Sequence, residues 1–88
     1  MPHLRRLLLR TADRVAVVSA ANLQRADYAY RALREYLRRE PDVEIAVTDL
    51  LSDLRHLSDR DGFSLADRDR MAHQNYLAEL AEAREVQS

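Results

Sequence analysis

Gly62 is the only glycine in this 88-residue chain, and Pro41 is the only proline after Pro2. Glycine supplies the positive φ of tight turns and proline presets their first corner, so a chain this poor in both has few places to reverse. A many-stranded β fold needs a turn about every 8–12 residues and is excluded. Long helices divided at Pro41 and Gly62 remain, and the abundant alanine, leucine, arginine and glutamate favour them.

Eighty-eight residues form one domain, residues 1–88. A chain of this size buries only roughly 60–65% of its unfolded surface, so small scaffolds lean on disulfides, metals or oligomerisation. There is no cysteine, which removes disulfides, thiolate metal sites and thiol catalysis. Oligomerisation is the remaining support, and a homo-oligomer is expected. No run approaches 18 apolar residues, so no membrane span is expected. The HLRRLLLR stretch at 3–10 lacks the unbroken apolar core of a secretory signal. The expected location is cytoplasmic.

The punctuation gives three segments. In the first, Leu23, Ala26, Tyr30, Leu33 and Leu37 recur at spacings of 3 and 4, one helical stripe that also runs backwards through Ser19, Ala16, Ala12 and Leu9. A single helix over about 4–39 follows. The β-branched run at 15–18 and a capping Asn22 argue instead for a break near 19–22. Length bears on the choice. Residues 11–39 alone would span roughly 43 Å as helix, against a diameter of roughly 30 Å for a compact domain of this size. Either the helix breaks or another chain covers the overhang.

The second segment opens on Pro41, expected at the first helical position, with Asp42 and Glu44 in the first turn. Val43, Val47, Leu50, Leu54 and Leu57 then form a stripe, with Ala46 and Leu51 beside it, and predict a helix over 42–60. In the third, Ser64 and Asp67 form a near capping box. Leu65, Ala72, Tyr76, Leu80 and Ala83 share a face and predict a helix over 65–84. The expected fold is all-α: a bundle of three helices, or four with the break near 19–22, ending in an αα-hairpin and completed by oligomerisation.

Candidate chemistry is sparse. With Gly62 at the sixth position of a calcium loop, Asp59 and Asp61 fall on ligand positions, but the first and last positions are Leu57 and Arg68. The SDRDGFSLAD stretch is better explained as a hinge, Gly62 stopping one helix and Ser64 starting the next. That hinge should bring His56 level with Asp69 and Asp53 level with His73. These are metal-site ingredients without a tight ligand spacing, so no metal and no cofactor are expected. Nothing resembles a nucleophile elbow or a phosphate loop, and no enzyme is expected.

Charge is uneven. Residues 1–40 carry nine Arg and four acids (net +5), and residues 41–88 carry five Arg and eleven acids (net −6). Arg5, Arg6, Arg10 and Arg14 form one basic group. Arg31, Arg34 and Arg38 form another, with Tyr28, Tyr30 and Tyr36 nearby. This face suits a partner protein, because Arg and Tyr recur at interface hot spots. It also suits nucleic acid, because Arg contacts phosphates and Tyr stacks on bases. Against nucleic acid stand the near-neutral total charge and the acids Asp27, Glu35 and Glu40 on the same segment.

The stretch TDLLSDLRHLSDRDGF, residues 48–63, with Tyr76 further on, resembles a pattern in a group of small uncharacterised bacterial and phage-type helical proteins. The shared pattern is D-L-L-x-D-L-R-H, a glycine turn, then a helix with a tyrosine near its end. Asp49, Leu50, Leu51, Asp53, Leu54, Arg55, His56, Gly62, Phe63 and Tyr76 carry it, about a third of the chain. The resemblance implies that Arg55 and His56 serve more than core packing. Arg55, His56, Asp69, His73 and Tyr76 are therefore the candidate interaction residues. The expected role is non-enzymatic: an adaptor, regulator or inhibitor that binds another protein, of the kind mobile elements carry. The alternative is an Arg-dependent nucleic-acid-binding protein.

Overall fold

The computed structural model describes residues 19–87, and all regular structure among them is helical. The four helices are α1 (Ala20–Ala32), α2 (Arg34–Arg39), α3 (Val43–Asp61) and α4 (Leu65–Gln87). The VAVV run at 15–18 and the earlier part of the expected first helix lie outside the described residues.

A single helix over 4–39 does not form. Ser19 is extended, and its hydroxyl accepts the Asn22 N–H at 3.1 Å, so Ser19 is the N-cap of α1. Asn22, expected as the cap, instead sits in the first turn. A second break falls at Leu33, which the apolar periodicity did not foreshadow. Leu33 has φ −78° and ψ −4°, and its N–H is shared between Ala29 O (3.0 Å) and Tyr30 O (3.1 Å). A ψ near zero departs from the helical value, and the shared bond tightens the turn without proline or glycine. Leu33 is buried at this bend, 4% exposed.

The start of α3 also shifts from the sequence reading. Pro41 precedes the helix rather than opening it, and Asp42 is the N-cap, accepting Glu44 N–H at 2.9 Å and Ile45 N–H at 3.2 Å. Two amides that would otherwise lack partners are satisfied by one carboxylate oxygen. At the other end Gly62 adopts φ 74° and ψ 41°, the left-handed conformation that costs other residues about 1–2 kcal/mol. The Ser58 carbonyl accepts both Gly62 N–H (2.9 Å) and Phe63 N–H (3.2 Å), closing the helix. Ser64 then accepts the Asp67 N–H at 3.1 Å. Only that half of the capping box is made as drawn: the Asp67 carboxylate takes a hydrogen bond from Arg70 at 2.8 Å. The SDRDGFSLAD stretch is thus a helix stop followed by a helix start.

The three segments touch through few, specific links. The most extensive packing between any two helices is α2 against α3. The Tyr36 hydroxyl donates to Asp53 Oδ2 at 2.9 Å across that junction. The α1 helix is tied to α4 by Arg25, whose Nε lies 2.8 Å from Glu79 Oε2, and by Asn22, whose side-chain amide donates to the Glu79 carbonyl at 3.4 Å.

The stripes read from periodicity are only partly covered. Leu33, Ala46 and Ala83 are the buried apolar residues among those described, and Leu37, Leu50, Leu54, Leu57, Leu65 and Leu80 are half-buried. Leu23 and Tyr30, placed in the first stripe, are exposed, as are Val43, Val47 and Tyr76 of the other two. On α1 the covered side, marked by Asn22 and Leu33, is rotated from the centre of the apolar stripe at about 100° per residue. The Arg25–Glu79 and Asn22–Glu79 links point that polar edge inward and leave the Leu23/Tyr30 edge outside.

Candidate interaction surfaces

Two surfaces gather the residues that chemistry singles out. The first is a groove of about 620 Å³ between α3 and α4, on the hinge side of both helices. Leu51, Leu54 and Arg55 line it from α3, and Leu65, Arg68 and Asp69 from α4. Ala66 and Ala72, too short to fill the space, keep it open. Arg55 donates from one guanidinium nitrogen to the Leu51 carbonyl at 3.1 Å, a turn back on its own helix. Near the hinge, the buried Ser58 hydroxyl donates to the Arg55 carbonyl at 2.7 Å.

The candidate residues of the hinge do not all converge. Arg55 and Asp69 share the groove, whereas His56 and His73 are not in its lining. His56 follows Arg55 and so points about 100° further round α3. Asp53, expected level with His73, bonds Tyr36 of α2 instead. His73 keeps company with Tyr76 on its own helix, ring centres 6.4 Å apart and planes inclined by 31°. Among the described residues, no three His, Asp or Glu side chains gather as a metal site.

The second surface lies on α1 and α2. Tyr30, Arg31, Arg34, Leu37 and Arg38 border a shallow hollow of about 320 Å³. Their spacings of three, four, seven and eight put them on one side despite the bend at Leu33. The Arg31 guanidinium carbon stands 5.2 Å from the centre of the Tyr28 ring, a cation–π distance. Arg38 pairs with Glu35 at 3.2 Å. Tyr30 is 56% exposed, a large aromatic left in water. The companion group Arg5, Arg6, Arg10 and Arg14 lies outside the described residues.

Among the described residues, two groups carry clearly shifted proton affinities. The hydrogen bond to Asp53 raises the Tyr36 phenol above its ordinary value, with loss of hydration and the Asp53 charge adding in the same direction. The hydrogen bond to Asp61 raises Arg60 likewise. Neither lies in a cleft, and both are the signature of a structural pair.

Sequence reasoning missed the groove. It named Arg55 and Asp69 but set them beside His56 and His73, whereas the cleft joins them to Arg68 and to leucines. The signal was present in the third stripe, where Asp69 interrupts the apolar face.

The described chain is an all-α protein with large apolar side chains left exposed along its helices. No helix among the described residues is long and apolar enough to cross a membrane. No protein-family model, no curated protein and no solved structure matches the chain.

Proposed function

We propose that this chain is a non-enzymatic protein–protein interaction module, an adaptor, regulator or inhibitor, that presents the Tyr/Arg side of α1 and α2 to an acidic surface of a partner protein. The observation that carries this is the hollow bordered by Tyr30, Arg31, Arg34, Leu37 and Arg38, where an exposed aromatic stands among three guanidinium groups. Tyr and Arg recur at hot spots because each pairs a large apolar surface with directed hydrogen bonding. A carboxylate-bearing partner with an apolar residue to seat beside Tyr30 fits that chemistry.

The same residues suit a nucleic acid less well. Phosphate binding gains from several free cations that release counterions together. Here Arg38 is engaged by Glu35 and Arg31 lies over Tyr28, which leaves Arg34 as the one guanidinium of the three with no partner among the described residues. Asp27 and Glu35 add negative charge to the same helices.

The test is affinity capture from the source cell with the full chain and with two variants, Tyr30→Ala and Arg34→Glu. A single stoichiometric protein, held by the parent, lost by both variants and released by salt, supports the reading. Equal capture by parent and variants refutes this placement. In parallel, a labelled mixed-sequence DNA duplex at low salt should stay unbound. Retention of the duplex, abolished by Arg34→Glu, would replace the protein partner with nucleic acid.

A further inference from the structure

We infer that the α3–α4 groove is a self-association site, occupied by the same groove of a second copy of this chain in a two-fold arrangement. This uses a different face from the partner surface of α1 and α2 and does not depend on it.

Arg68 and Asp69 stand side by side on α4. Unlike the adjacent Arg60 and Asp61, they do not pair with each other. Arg25, Arg38, Arg60 and Arg70 all form ion pairs within the chain. Among the described residues, neither Arg68 nor Asp69 has one. Both stand at the same apolar cleft. A two-fold axis brings residue i of one copy to residue j of the other and the reverse. One cation and one anion in adjacent positions are what such an axis requires: Arg68 meets Asp69 of the second copy, and Asp69 meets its Arg68. An apolar partner without charge would leave both groups desolvated and unpaired, which is costly.

The apolar surface supports the same occupant. Val43, Val47 and Leu51, spaced by four, continue the groove wall along α3, and Tyr76 continues it along α4; all four are exposed. The 19 residues of α3 reach about 28 Å, and two helices side by side are about 20 Å wide. With side-chain relief, such a footprint is on the order of the 800 Å² per partner that a specific interface buries. The acids that give residues 41–88 their negative charge lie largely off this face: of the groove residues only Asp69 is acidic, against Arg55 and Arg68.

Sedimentation of the full chain across the micromolar range, with charge reversals, tests this. The parent should form a dimer. Arg68→Asp and Asp69→Arg should each weaken it by roughly a hundredfold, since each turns two attractive contacts into repulsive ones. An equimolar mixture of the two single variants should form a heterodimer, and the double variant R68D/D69R should self-associate like the parent. Both positions changed in these chains, 68 and 69, are exposed helix sites, so folding is retained and checked by circular dichroism. A parent that stays monomeric at every concentration overturns the inference. So does a dimer indifferent to both reversals. A monomer whose melting temperature falls on Leu51→Glu would assign the groove to another segment of the same chain, which also overturns it.

Discussion

The joints at Pro41 and Gly62 each connect two helices by a short turn, yet one closes and the other gapes. At the Pro41 joint, α2 and α3 pack together, Ala46 has no exposed surface, and Tyr36 reaches Asp53 across the seam. At the Gly62 joint, α3 and α4 leave an open groove, and Leu51 beside it is 47% exposed. The turns themselves are equally well made, since both are capped by a side chain on the following helix start and Gly62 adds a left-handed stop. The difference is in what faces inward. The inner side of the first joint offers small or apolar residues and one satisfied hydroxyl–carboxylate pair. The inner side of the second carries Arg68 and Asp69, which do not pair with each other, and closing it inside one chain would bury two unpaired charges. Good turn chemistry brings helices near; the charge on the facing sides decides whether they close.

The largest effect should separate the two joints directly. Leu33→Ala removes the most buried of the described leucines and should destabilise the chain by about 3 kcal/mol, while Leu51→Ala, measured at high dilution, should cost less than about 1 kcal/mol. Urea unfolding followed by circular dichroism reads both. Equal costs would mean that the groove is as well packed as the Leu33 bend, and the contrast would fall.

A smaller effect sharpens the account of the second joint. A Cβ added at Gly62 meets nothing within 4 Å, so Gly62→Ala feels only the left-handed backbone. The expected loss is about 1 kcal/mol. A much larger loss in the same unfolding experiment would show that the turn is packed against something the open joint does not include.

The smallest effect concerns the seam of the first joint. The Tyr36 phenol has its proton affinity raised in the fold by the bond to Asp53. The sign follows from linkage: a raised folded value stabilises the fold fully below the ordinary phenol value, near pH 10, and that contribution is lost as pH rises through the folded value. Ultraviolet titration of the four tyrosines should therefore lose a component that titrates above the ordinary phenol value in Tyr36→Phe. An unchanged titration would mean that the Tyr36–Asp53 bond does not hold in solution.

Much of the local structure was legible in the residues. The spacing of Val43, Val47, Leu50, Leu54 and Leu57 marked α3, which runs Val43–Asp61 against the 42–60 read from the pattern. Gly62, Phe63 and Ser64 announced the second turn because positive φ and capping are properties of single residues. The bend at Leu33 was not legible. No proline, glycine or polar cap marks it, and its conformation is held by where Leu33 packs. Nor was the split of candidate residues, with Arg55 and Asp69 in the groove and His56 and His73 outside it. Spacing along one helix says which residues share a side, but the register between two helices depends on how they meet.

By itself the sequence determined that the chain is helical, where its turns at Pro41 and Gly62 fall, and that thiol chemistry has no residue to work with. These follow from local propensity, capping and composition, which act within a few residues. Only the tertiary structure decided which apolar stripes are covered. It rotated α1 so that Asn22 and Arg25 face Glu79 while Leu23 and Tyr30 face out, and it left Arg68 and Asp69 together at an open groove. The physical reason is that burial is settled between elements. A stripe records what a helix is able to bury, and the charges and links on neighbouring helices select what it does bury.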